Sequence, residues 1–181
     1  MGTIESWFPT TVYYELADQN TKDKIDSEYR KHEAKVIESL STFTWDDNIE
    51  TTFKTPDLIQ RYELKALHDF IMRCAEEYTG CSGLEIYDSW ANYSRRNNFQ
   101  RVHNHDPKVI SGTYYIQTSG DDGDFVLRHV MPVINDGQIN YKPEVGKILL
   151  FPGWAQHSVN VNKTDSVRIS IAFNIREDSL K

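Results

Sequence analysis

The chain has 181 residues, a formal charge of −7 and a sequence pI of about 5.3, an acidic balance that excludes a general nucleic-acid binder. Its length fits a single domain, 1–181, with a core of ordinary size. Two cysteines, Cys74 and Cys81, suit neither a disulfide framework nor a zinc ribbon; with no basic-then-apolar leader and no bilayer-length apolar run, the expected setting is cytoplasmic and free of membrane.

Thr10–Tyr14 has the β-branched and aromatic composition of a strand. From Asn20 to Leu40 the apolar residues Ile25, Tyr29, Val36, Ile37 and Leu40 recur at helical spacing, with Asn20 as the predicted N-cap and Asp23 in the first turn. A second helical pattern runs from Pro56 to Tyr78 through Leu64, Leu67, Ile71, Cys74 and Ala75, and Gly80 supplies its stop. Residues 1–83 thus read as a strand plus a helical buttress. Beyond Gly83 the pattern changes to strands, predicted over Leu84–Tyr93, Lys108–Gln117, Asp124–Val130, Lys147–Phe151, Ser158–Val161 and Val167–Ile175. Ser119–Gly123 lacks the closing glutamate of a calcium loop and reads as a hairpin connection. Many short strands divided by turns predict an α+β fold in which helices buttress a jelly-roll-like barrel over 84–178.

Chemistry concentrates in Val102-His103-Asn104-His105-Asp106. On an extended strand His103 and His105 point to one face, where both imidazoles can reach one metal ion. His157, after the turn Phe151-Pro152-Gly153-Trp154, is the best third ligand. In the last strand, Ile169, Ile171, Phe173 and Ile175 alternate with Arg168, Ser170, Ala172 and Asn174. The second set fits either a polar barrel lumen, where the Arg168 fork grips an anion, or the solvent side of an antiparallel strand. Arg95, Arg96 and Arg101 read as a solvated loop, with an anion-binding patch as the sharper alternative. His32, His68 and His129 read as packed or surface residues.

This constellation resembles the 2-oxoglutarate- and iron(II)-dependent dioxygenase superfamily, whose motif is His-x-Asp/Glu, a distal His and then a basic residue. His103-Asn104-His105, His157 and Arg168 stand in that order, and the resemblance covers Trp90 to Asn174. It includes a poorly characterised group carrying His-x-His followed by Ser-Gly and paired aromatics, here Ser111-Gly112-Thr113-Tyr114-Tyr115. The resemblance implies a double-stranded β-helix holding Fe(II), with 2-oxoglutarate and O2 as cosubstrates. It further implies hydroxylation of a substrate with release of succinate and carbon dioxide. Arg168 takes the distal carboxylate of 2-oxoglutarate, with Asn92, Ser170 and whichever of Tyr115 and Tyr114 faces inward as helpers. Asn174 meets the metal-proximal carboxylate.

His105 stands where the family has a carboxylate. Three readings follow: an all-histidine triad, a ligand set in which Asp106 supplies the carboxylate after a bend at Pro107, or a relic site without iron. Two other functional classes stay open, a cupin-like metalloenzyme that does not use 2-oxoglutarate and a non-catalytic jelly-roll binding module. The substrate, a small molecule or a peptide, is not legible, and a homodimer is left open.

Overall fold

The computed structural model describes residues 10–43, 49–128 and 137–177. Strand β1 (Tyr13–Leu16) leads into helix α1 (Gln19–Glu38), the strands β2 (Ser41–Phe43) and β3 (Ile49–Thr51), and helices α2 (Leu58–Arg61) and α3 (Lys65–Thr79). The strands β4 (Leu84–Ser94), β5 (Gln100–His103), β6 (Ile110–Gln117), β7 (Phe125–Arg128), β8 (Gln138–Tyr141), β9 (Lys147–Pro152), β10 (His157–Val159) and β11 (Arg168–Glu177) follow. They form two antiparallel sheets, β1-β9-β6-β11-β4-β3-β2 and β5-β10-β7-β8. This is the jelly-roll, double-stranded β-helix architecture, with the helices against the larger sheet. No described helix is long and apolar enough to cross a membrane.

The alternation in β11 sorts the two faces of the large sheet. Ile169, Ile171, Phe173 and Ile175 pack with Ile25, Tyr29 and Val36 of α1 and with Leu67, Phe70 and Ile71 of α3 in the main core. On the opposite face Arg168, Ser170 and Asn174 are also buried, so that face is a lumen and not a solvent side. A smaller apolar cluster of Tyr115, Phe125, Leu127, Leu149, Phe151, Ala155 and Val159 fills the space between the sheets. Burial of both faces explains the near-continuous burial of β6 and β9.

Several predicted boundaries move. The first helix is capped by Asp18 and not Asn20: its carboxylate accepts hydrogen bonds from the Thr21 N–H and hydroxyl, at 3.0 and 2.7 Å. Ile37, counted in the apolar stripe, is exposed. The single helix expected from Pro56 to Tyr78 is two helices, broken where Glu63 takes φ of 50°. The break lets Leu58, Ile59 and Leu64 all reach the core. Gly80 ends α3 in the left-handed conformation, as predicted. Ser119–Gly123 is not a hairpin connection, since β6 and β7 belong to different sheets; it carries the chain across the lumen. The strand predicted over Asp124–Val130 is described only to Arg128, and His129 lies outside the described residues.

Candidate metal centre and anion site

His103 ends β5 and His157 opens β10, and the two are direct partners across the β5–β10 pair. His105 lies two residues beyond the end of β5, where its backbone N–H donates to the Gly153 carbonyl at 2.8 Å. The three rings converge, with centroids 4.2 Å apart for His103 and His157, 5.1 Å for His105 and His157, and 5.4 Å for His103 and His105. One nitrogen from each lies within 4.8 Å of the others. This cluster can hold a metal ion.

Local bonds aim the rings. The Nδ1 atoms of His103 and His157 bond to the Arg101 and Ala155 carbonyls at 2.7 and 2.9 Å. Carbonyls only accept, so each Nδ1 carries the proton and each Nε2 keeps a lone pair for a cation. Burial pushes the His157 imidazole down to about 3, helped by the nearby His103. Burial and the same neighbour push His105 down to about 4. Both rings are therefore neutral at ordinary pH, which is the form that ligates metal.

Asp106 does not join them. Its side chain is exposed and accepts the Lys108 N–H at 2.9 Å, capping the turn after Asn104. Among the described residues the cluster contains no carboxylate.

Arg168 lies in the same cavity as the three histidines, together with Asn92, Thr113, Tyr115 and Ser170. Its side chain is almost wholly enclosed, 2% exposed, and Nη1 donates to the Asp122 and Gly123 carbonyls at 2.8 Å each. Gly123 permits this seat. With φ of 103°, it puts no Cβ where the Asn160 carbonyl and Arg168 Nη1 already sit. The Asp122 carboxylate is engaged by the Thr118 hydroxyl and Ser119 N–H, at 2.6 and 2.7 Å. No carboxylate in the described residues forms an ion pair with Arg168, and burial presses its pKa down. A buried guanidinium in that position is suited to receive an anion.

Sheet register lines up the helpers. Ser170 is paired with Asn92 on one side and with Tyr115 on the other, so the three form a row across β4, β11 and β6. All three are buried, and none of their side chains has a protein hydrogen-bond partner among the described residues. The Tyr115 hydroxyl is pushed up to about 12 by burial, with the Arg168 charge opposing, so it stays a donor. Tyr114 points the other way, edge-on to Phe70 in the helix-side core. Beside Arg168, the buried Ser94 Oγ is likewise without a partner.

Asn174 is placed differently from expectation. It lies outside the cavity lining, accepting from Ser111 Oγ at 2.6 Å and donating to Asp88 at 2.8 Å. The five residues between Arg168 and Asn174 carry it along β11, away from Arg168. Arg95 and Arg96 pair with Glu50 and Asp165, each at 2.7 Å, which is the solvated-loop arrangement and not an anion patch. Gly153, Asp122, Gly123 and Thr113 escape a sequence reading as site residues, because three act through backbone carbonyls and Thr113 is one β-branched residue among many.

Gly153 is the hinge pin of the cluster. Its carbonyl holds His105, its N–H donates to the Val109 carbonyl at 2.8 Å, and an added Cβ would overlap the Asp106 carbonyl oxygen and lie 2.8 Å from Val109 Cγ2. Gly153→Ala is expected to push the 104–109 loop outward and weaken metal binding by about ten- to a hundredfold, the range for lost orienting partners. Metal titration of the folded variant checks this; unchanged affinity would show that His105 needs no anchor.

Residues 88–174 match the family model described as "Putative 2OG-Fe(II) oxygenase". A comparison with curated proteins finds no match. Among solved structures, the non-heme alpha ketoglutarate dependent carbocyclase SnoK from nogalamycin biosynthesis superposes with a TM-score of 0.72 at 12% identity, over 93% of this chain and 80% of that one. HygX from Streptomyces hygroscopicus, with nickel and 2-oxoglutarate bound, gives 0.66 at 12% identity over 93% and 83%. A Pseudomonas putida prolyl-4-hydroxylase gives 0.63 at 15% identity over 92% of each chain. Residues 88–174, which hold the histidine cluster and Arg168, thus match the putative 2OG-Fe(II) oxygenase family model, on a fold shared with these enzymes.

Proposed function

We propose that this protein is a non-haem, Fe(II)- and 2-oxoglutarate-dependent oxygenase that hydroxylates its substrate, with His103, His105 and His157 as metal ligands and Arg168 as the anchor of the cosubstrate. One observation carries the reading: an enclosed guanidinium without a carboxylate partner among the described residues shares a cavity with three converging imidazoles. The donor chemistry fits the ion, because imidazole nitrogen suits ferrous iron and three ligands on one side leave other positions open. Bound iron would supply the redox chemistry in which dioxygen oxidatively decarboxylates 2-oxoglutarate to succinate and carbon dioxide, leaving one oxygen atom for a substrate C–H bond.

The chain's own residues bind and orient. Arg168 meets the distal carboxylate with its planar fork, and the hydroxyls of Ser170 and Tyr115 and the amide of Asn92 satisfy the remaining oxygen lone pairs. Phe125 and Phe151, with ring centroids 5.4 and 4.7 Å from His157, keep water from the metal's inner side and sharpen every electrostatic contact there. Imidazole at position 105 replaces a charged ligand by a neutral one, so the loaded site is one unit more positive than a two-histidine, one-carboxylate centre. That charge favours a dianionic cosubstrate.

Calorimetric titration of 2-oxoglutarate into nickel-loaded and metal-free protein, with succinate release by the iron-loaded form, tests the reading. Binding that requires metal, followed by succinate formation, supports it. Metal binding with no affinity for 2-oxoglutarate would move the protein to the cupin-like class, and no metal binding to the non-catalytic class. A paired substitution identifies the third ligand: His105→Ala is expected to lose metal and turnover, whereas Asp106→Ala retains both. The reverse result would transfer the role to Asp106.

A further inference from the structure

A second pocket, of about 480 Å³, opens on the outer side of the histidine cluster. Its apolar walls are Ile49, Phe53, Trp90 and Val102. The Phe53 ring stands edge-on to Trp90 with centroids 5.1 Å apart, and Trp90 lies 6.0 Å from the His105 ring. A continuous aromatic surface therefore leads from solvent to the imidazoles. Phe53 and Val102 are 45% and 47% exposed, and large apolar side chains partly exposed around a concavity mark a binding surface.

The polar lining narrows the occupant. Thr51 already donates to the Ala91 carbonyl at 2.9 Å. Asn92, only 6% exposed, borders both this pocket and the lumen, and its amide has no protein partner among the described residues. An amide has a donor end and an acceptor end, so it can serve cosubstrate and substrate together. Gln100 adds a second amide on the same wall. No Asp or Glu among the described residues lines the pocket, and its charged lining residue is the exposed Arg101. A cationic ligand would thus be desolvated beside the imidazoles without a counter-charge, which is strongly unfavourable.

We infer that the outer pocket is the substrate subsite and that it takes a small molecule without positive charge, with a flat, apolar ring and a carbonyl or amide edge. The ring lies against Phe53 and Trp90, and its polar edge meets Asn92 and Gln100. The volume falls within the range of small-molecule sites. This inference rests on the oxygenase reading for what happens to the bound molecule, but binding itself does not require turnover.

The test uses three probes on nickel-loaded full-length protein with N-oxalylglycine: indole-3-carboxamide as the planar neutral ring, glucose as a neutral polar molecule and spermidine as a cation. Ligand-observed NMR and calorimetry should detect the indole amide alone, and Phe53→Ala should weaken it by about fivefold, the effect of losing one aromatic contact. Phe53 is half exposed, so the variant folds, and retained affinity for nickel and N-oxalylglycine verifies this. Equal binding of all three probes, or an indole amide indifferent to Phe53→Ala, overturns the inference. Phe53-dependent binding of the amide to a protein that fails to bind N-oxalylglycine would uphold the subsite and overturn the oxygenase reading instead.

Discussion

Arg168→Ala is expected to reduce 2-oxoglutarate affinity by roughly two to four orders of magnitude, because removing one member of a buried, hydrogen-bonded charge pair costs about 2–5 kcal/mol. Metal content should be nearly unchanged, since Arg168 is hydrogen-bonded to the Asp122 and Gly123 carbonyls and not to the imidazoles. The unliganded protein behaves differently from the complex. With no anion bound, the guanidinium is desolvated against only two carbonyls, so losing its charge relieves a penalty as well as removing contacts. Thermal unfolding of the variant should therefore respond little to added 2-oxoglutarate, whereas the parent protein should gain stability with the logarithm of ligand concentration above Kd. Arg168→Lys separates charge from shape: a point charge cannot reproduce the planar fork, so it should restore only part of the affinity. Equal 2-oxoglutarate affinity in parent and alanine variant would reject the assigned role.

His157→Ala is expected to remove metal binding outright, with a loss greater than the roughly hundredfold that an orienting partner is worth. His157 is the most buried of the three histidines and lies between Phe125 and Phe151. The alanine variant therefore also opens a cavity, and a fall in stability alone would be ambiguous. His157→Gln keeps most of the volume and can still donate to the Ala155 carbonyl, but it offers no imidazole lone pair. Elemental analysis after anaerobic reconstitution should find both variants empty of iron and the parent loaded. Stoichiometric iron in the glutamine variant would show that His103 and His105 suffice and that His157 is a packing residue.

Much of the site was legible because it uses side chains with few structural roles. His-x-His, a later His and an Arg on an alternating strand constrain one another through order and strand periodicity. The helix-stop at Gly80 and the alternation in β11 were equally plain, since each rests on local stereochemistry. The break at Glu63 was not: no Gly or Pro marks positions 62–64, and the kink answers to the packing of Leu58, Ile59 and Leu64. The short strands β2, β3 and β8 escape the sequence reading, being three or four residues long and defined by their neighbours' hydrogen bonds.

Periodicity and residue chemistry thus pointed to the architecture, to the three imidazoles and to Arg168, because each follows from properties a residue carries with it. Tertiary structure decided the rest. It turned Asp106 outward onto Lys108, chose Tyr115 over Tyr114 for the lumen, carried Asn174 out of the cavity lining and left Arg168 without a carboxylate partner among the described residues. These outcomes depend on register between strands distant in the chain and on where loop carbonyls fall, and neither quantity is encoded by a residue and its near neighbours.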